Sequence, residues 1–175
     1  MTVLPTTYWG PAAWFEAYAS ARVPVIEVCD SFPKQTLRNR CVILSPAGER
    51  ILLTVPLCKV ESKQLTRDIR ISYQQHWQHQ HLTAIMSAYK KSPYYDYYAD
   101  FISPLYERQY TYLLDLNDAT AQVALSLLRN EMPAKEAAPL ARTTEWQNSG
   151  EEVLLADETS ILDRLFKNGP LAMMK

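Results

Sequence analysis

The apolar residues follow two different rhythms along this chain. Up to about residue 73 they come in short β-branched runs; from His76 onward they recur every three or four positions. "VLPTT" (3–7) and "VPVIEV" (23–28) are strand-like runs on either side of a helical pattern, "PAAWFEAYASA" (11–21), in which Pro11 suits a first turn. That outlines a βαβ unit, although the second run could equally pair antiparallel. In "RCVILSPAGERILLTVPL" (40–57) two β-branched runs flank a turn supplied by Pro46 and Gly48, which predicts a hairpin. "RDIRISY" (67–73) alternates apolar and polar residues and predicts a further strand.

The second rhythm predicts helices. One covers 76–91. Ser92-Pro93 and Ser103-Pro104 each pair a capping residue with a first-turn proline, predicting helical pieces over 93–102 and 104–116 with a bend between them. Asn117 is placed to cap "DATAQVALSLLRNE", the segment 132–153 reads as a long loop, and 158–170 regains helical spacing before Gly169 and Pro170. No repeat is visible. The expected architecture is one domain, 1–175, of α+β or mixed α/β class: a small mixed sheet with an antiparallel hairpin in the N-terminal half and a mostly helical C-terminal half.

Composition narrows the function more by exclusion than by assignment. The chain has 175 residues, 47% of them hydrophobic and 21% charged, as in an ordinary globular domain. The net charge of −1 hides an asymmetry: residues 34–70 carry eight basic side chains against three acidic, and 131–163 carry eight acidic against two basic. A basic middle suits an anionic ligand but is too dilute to argue for nucleic acid. No stretch approaches the roughly 20 apolar residues of a membrane span, and the N-terminus does not read as a signal peptide, so the expected location is cytoplasmic. Cys29, Cys41 and Cys58 each lie in an apolar context that predicts buried, reduced thiols. The four glycines form no phosphate-cradling loop, and no nucleophile-elbow motif occurs.

All three histidines lie in "YQQHWQHQH" (73–81). On a helical wheel His81 shares an arc with Trp77, Leu82, Ala84, Ile85, Ala88 and Tyr89, whereas His76 and His79 fall on the opposite, wet side. The three imidazoles cannot then converge on one ion, and two alone fall short of the three or four ligands zinc requires, so neither a metal nor another cofactor is expected. His81 has two readings: a core histidine with both nitrogens satisfied, the commoner case, or a general base lining a cleft. Arg38 and Arg40 flank Asn39 and would share one side of an extended segment, either as a clamp for carboxylate or phosphate or as a solvated strand edge. Eight of the eleven tyrosines fall between Tyr89 and Tyr112; most suit an amphipathic core, while a subset near Tyr94 and Tyr95 could stack a sugar.

Taken in order, Leu4-Pro5 with Tyr8-Trp9, Arg38-Asn39-Arg40, the Leu53–Pro56 strand with Lys59, Trp77 with His81, and Ala88-Tyr89 with Ser92-Pro93-Tyr94 resemble the motifs of the WbqC-like family over essentially the whole chain. Trp9 stands where phenylalanine is usual, and an "SGP-x-G-x-x-Tyr" element of longer members is missing. The resemblance implies an association with O-antigen and surface-polysaccharide gene clusters, and a role in glycyl or acyl transfer to an amino sugar. On that expectation a pre-activated donor and a nucleotide- or lipid-linked sugar are the partners. His81 would be the base; Arg38, Asn39, Arg40, Lys59, Tyr89, Tyr94 and Tyr95 would bind substrate. The alternative is a sugar- or partner-binding protein of envelope biosynthesis that catalyses nothing.

Overall fold

The computed structural model describes residues 1–134, 139–149 and 159–173. Residues 135–138 and 150–153 of the expected 132–153 loop, and the first residue of the expected 158–170 helix, therefore lie outside the described residues. Strand β1 (Thr2–Pro5), helix α1 (Ala12–Ser20) and strand β2 (Pro24–Glu27) form a βαβ unit, because β1 and β2 pair in parallel from Thr2↔Pro24 to Pro5↔Glu27. A parallel pair needs a crossover, and α1 supplies it. Trp14 secures α1 to β1 by donating its indole N–H to the Pro5 carbonyl at 2.7 Å. Segment 141–143 continues this sheet beyond β2, with Ile26 bonded to Ala141 O at 2.7 Å and receiving Thr143 N–H at 2.9 Å.

β3 (Arg40–Leu44) and β4 (Arg50–Thr54) make the expected hairpin, with Arg40 opposite Thr54 and Leu44 opposite Arg50. Gly48 turns it at φ +81°, a region where a side chain would be strained. The hairpin and the parallel pair are separate two-stranded sheets rather than one mixed sheet, and the mixed α+β class holds.

The strand expected at 67–73 is not one. Thr66–Asp68 form a 3-10 turn, and the rest makes only single bridges, Ile71 to Leu57 and Arg70 to Tyr112. Its alternation does mark one buried face, since Ile69 and Ile71 are buried and Arg70 is exposed. Alternation reports burial, whereas a ladder requires a neighbour running alongside, and among the described residues the segment makes only these isolated bridges.

Among the described residues four α-helices follow: α2 (Trp77–Tyr89), α3 (Tyr95–Glu107), α4 (Leu113–Leu128) and α5 (Ile161–Asn168). The bend expected at Ser103-Pro104 does not occur; α3 runs through Pro104 and the chain breaks at 108–112 instead. Pro104 and Asp100 are both exposed, so the carbonyl deprived of its amide partner can turn to water. Nor does Ser92 cap: α3 begins at Tyr95, whose N–H bonds Ser92 O. Asn117 sits inside α4, because Leu113, Leu114 and Leu116 belong to the same buried stripe and draw the helix start back to the core. Of the cysteines, all free, Cys41 is buried and Cys29 half-buried, but Cys58 is exposed, because the chain leaves the sheet after Pro56.

Ser160 caps α5 by accepting Leu162 N–H at 3.2 Å. Gly169 ends the helix at φ +58°, and a Cβ there would lie 2.4 Å from the Tyr94 ring. Gly169→Ala is therefore expected to cost about 1–3 kcal/mol from backbone strain, with Tyr94 forced aside, measured as a lowered urea midpoint at unchanged slope.

Candidate functional site

The carboxyl end of β1 leads into Thr6, Thr7, Tyr8 and Trp9, all of them buried. Trp9 adopts φ +45°, an unusual conformation for a bulky residue and one that persists only where the surroundings hold it. Here they do: its indole Nε1–H donates to Tyr106 Oη at 2.8 Å. Tyr106 Oη lies 2.6 Å from Tyr8 Oη, and Tyr8 Oη lies 2.8 Å from His81 Nδ1. The imidazole also makes a hydrogen bond to the backbone of Thr54, at the end of β4.

These contacts have one self-consistent proton order. An indole nitrogen only donates, and the imidazole N–H is taken by the Thr54 carbonyl, so Nδ1 must be the acceptor. Tyr8 then donates to His81, Tyr106 donates to Tyr8, and Trp9 donates to Tyr106. Burial holds the imidazole neutral, lowering its pKa to about 4, against a smaller upward pull from the Thr54 hydrogen bond. Burial likewise pushes the Tyr8 and Tyr106 phenols above their ordinary range.

A second set of contacts holds the turn at 37–39. Arg38 is fully buried and bonds Asp30 Oδ2 at 2.5 Å, with Nη1 on Thr36 Oγ1 at 3.1 Å. Asn39 clasps Val55 twice: its side-chain Nδ2 donates to Val55 O at 3.1 Å, and its backbone carbonyl accepts Val55 N–H at 2.8 Å. From α4, Asn117 Nδ2 reaches Arg38 O at 2.8 Å and Thr6 Oγ1 at 3.1 Å. Tyr8 N–H closes the circuit on Leu37 O at 3.0 Å. The turn is thus tied to the segment after β1, the loop after β2, the end of β4 and α4.

Residues singled out from the sequence separate into three places. Arg38, Asn39 and His81 lie in this buried polar centre. Arg38 sits in a turn rather than an extended segment, so the expected two-arginine clamp on one strand face is not formed. Arg40 is half-buried at the start of β3, and its Nε has no partner. Tyr89, Tyr94 and Tyr95 pack towards α5. Tyr89 stacks on Phe166 at 4.8 Å, accepts Leu44 N–H and donates to Asp163; Tyr94 stacks on Tyr98 beside Gly169; and Tyr95 tilts against Phe166. Lys59 is 86% exposed and paired with Glu61 at 3.3 Å. They do not line one pocket.

The structure adds Tyr8, Trp9, Tyr106, Asn117 and Asp30, none of which the sequence had marked as chemical. For Trp9 a weak signal existed, an aromatic pair just before Gly-Pro; Tyr106 was one tyrosine among eight. Tyr106, the outer member of the hydrogen-bond chain, lines an open cleft of about 390 Å³ together with Tyr73, Gln75, His76, Gln78, His79, Leu82, Glu107 and Gln109. The exposed histidines thus flank a cleft instead of facing featureless solvent. A larger cleft, about 680 Å³, runs along the outer side of α4 past Arg108 and Arg129. It does not touch the polar centre, and Arg142 already engages Asp115 and Asp118 there, so it ranks behind the smaller cleft as a site of chemistry. Among the described residues, no three His, Cys, Asp or Glu side chains are grouped to hold a metal ion, and no helix is long and apolar enough to cross a membrane.

The family model for the WbqC-like protein family matches residues 7–164. No curated protein and no solved structure matches the chain.

A free histidine binds its proton near pH 6.5, whereas His81 resists protonation until about pH 4. Below pH 6.5 protons therefore favour the unfolded chain, and the contribution present above pH 6.5 is lost as pH falls towards 4, on the order of 3 kcal/mol in all. Urea midpoints measured between pH 7 and 5 should fall for the native chain, and His81→Gln should flatten that slope.

Proposed function

Because the chain belongs to the WbqC-like protein family, we propose that it acts on a sugar in surface-polysaccharide assembly, moving a glycyl or other acyl group from a pre-activated donor to an amino sugar. The observation that carries this reading is the cleft beside Tyr106. Its lining offers the amides of Gln75, Gln78 and Gln109, which can both donate to and accept from sugar hydroxyls, and the rings of Tyr73 and Tyr106. A few polar groups converging on a concave surface is the usual form of a small-molecule site. Gln78 is itself held, its Nε2 donating to Arg108 O at 2.5 Å.

The hydrogen-bond chain gives this cleft a route for a proton. As the acceptor nitrogen attacks the donor's carbonyl carbon, its N–H becomes strongly acidic. The proton lost by nitrogen passes to Tyr106 Oη, displacing one from Tyr106 to Tyr8 and one from Tyr8 to His81 Nδ1, and leaves an imidazolium. As the tetrahedral intermediate collapses, the bond from the carbonyl carbon to the thiol of a thioester donor breaks, and the thiolate leaves with the electron pair. The imidazolium returns its proton to the departing thiolate along the same chain. A pKa of about 4 is low for a base working near neutrality, so His81 suits that late, acidic proton better than an unreacted hydroxyl. Arg40 lies opposite Thr54, whose backbone meets His81; its partnerless Nε and the exposed Lys59 are the groups we assign to an anionic part of the donor. Arg38 keeps Asp30, and together with Asn39 holds the site in shape. Tyr94 and Tyr95, packed on Tyr98 and Phe166, lie off this cleft and take no part in holding the sugar.

The alternative, sugar binding without turnover, draws on one observation: His81 is only 4% exposed, so it reaches no ligand directly. The two readings part on incubation with a glycyl thioester and methyl glucosaminide, followed by mass spectrometry and by NMR titration of the sugar. N-glycylated product is expected, formed about 10²-fold or more slowly by Tyr106→Phe while sugar binding persists. Binding with no product from any chain, native or variant, would favour the alternative; no binding at all would sink both.

A further inference from the structure

The cleft beside Tyr106 does not stop at its polar lining. His79 and Leu82 of α2 also line a second cleft of about 360 Å³, walled by Ile85, Met86, Ile102 and Phe166. The two are halves of one groove between α2 and α3. From His76 to Met86 it follows ten residues of chain, about 15 Å at the helical rise. One half offers amides and imidazoles; the other is mostly hydrocarbon, with Thr83, Tyr95, Asp100 and Ser103 also on its walls, and Met86 remains 42% exposed along it. An exposed methionine is ordinary on its own; a hydrocarbon trough opening directly out of a polar cleft is not.

The charges on the groove add a second constraint. Among the described residues no lysine or arginine lines either half, and the carboxylates there are Glu107 in the polar half and Asp100 in the apolar half. A nucleotide diphosphate would enter with several negative charges and find no counter-charge there. We propose that this groove binds an amphiphile: a glycosyl head among Gln75, Gln78 and Gln109, and a hydrocarbon tail along Leu82, Ile85 and Met86, uncharged at the junction beside His79. The sugar is thus presented on a lipid rather than on a nucleotide. This rests on the reading of the Tyr106 cleft as a sugar site and goes beyond it by naming what the sugar is attached to. Met86, a flexible and polarisable side chain, suits a tail of variable shape.

The test is a titration of the whole chain with methyl, hexyl and octyl β-glucoside, each below its micellar concentration, and with UDP-glucose, followed by NMR shifts of α2 and α3. Affinity should rise at least about tenfold from methyl to octyl, the gain expected from two buried methylenes. Met86→Glu, at an exposed position, should remove that gain while leaving methyl glucoside binding as it was; Met86→Leu should keep it. UDP-glucose should bind no better than methyl glucoside. Equal affinity for methyl and octyl glucoside, or tighter binding of UDP-glucose than of the octyl compound, overturns the amphiphile and leaves the sugar cleft standing. Failure of every glucoside to shift the groove residues overturns the sugar cleft and the amphiphile with it.

Discussion

Tyr8 joins two of the buried networks of this molecule, and the arrangement of the elements that carry them follows from it. Its hydroxyl bonds His81 of α2 and Tyr106 of α3, and its backbone N–H bonds Leu37 at the start of the turn that Arg38 and Asn39 shape. A phenol, an imidazole and a guanidinium taken from water cost several kcal/mol unless each finds partners. Once they are inside, their partners are fixed, and so are the elements that carry them. The βαβ unit must deliver Tyr8, with Trp9 in a strained conformation, α2 must turn His81 inward, and α4 must bring Asn117 to the Arg38 carbonyl. The bonds that are made select one arrangement of the chain, even though Asp30 Oδ1, Asn39 Oδ1 and Asn117 Oδ1 find no partner in it.

Much of this was legible in the chain's own spacing. The helical wheel separated His81 from His76 and His79, and the structure buries Trp77, His81, Ile85, Ala88 and Tyr89 along one face of α2. The hairpin followed from Pro46 and Gly48, and the stop at Gly169 from its place after Phe166. What periodicity could not supply was the identity of partners distant in sequence. Tyr106 is 98 positions from Tyr8, and Asn117 is 79 from Arg38, so nothing local distinguishes them from other tyrosines and asparagines. Asn117 was misread as a cap because its residue type favours helix starts, while the leucines before it exert the stronger pull into the core. Segment 67–73 was misread because alternation marks one buried face and says nothing about a neighbouring strand.

The site shows the same division. Arg38, Asn39 and His81, in the motifs that carry the family resemblance, hold structure together before they do any chemistry. Arg38 neutralises Asp30, Asn39 fastens the end of β4, and His81 ends the chain of hydroxyls from Trp9. The groups free to meet a ligand lie one layer further out, on the groove between α2 and α3, where His76, His79 and three glutamines look like ordinary surface in the sequence. Two contacts join the inner layer to the outer one: the Tyr106 hydroxyl, which belongs to both, and Trp77, which packs between His81 and Tyr73 of the cleft wall. A ligand in the groove would thus meet a phenol whose proton is already committed inward.

The state of His81 is therefore the centre of the account, and the imidazole nitrogens report it directly. Long-range ¹H–¹⁵N NMR on the native chain, with His76→Gln and His79→Gln to assign the rings, distinguishes the Nε2–H tautomer from Nδ1–H and follows protonation as pH is lowered. The expected result is a neutral ring with hydrogen on Nε2 and none on Nδ1, unchanged from pH 8 through pH 5, with protonation only towards about pH 4. A ring that titrates near pH 6.5, or one that carries its hydrogen on Nδ1, would contradict the Tyr8-to-His81 bond and the order of every hydrogen bond drawn outward from it.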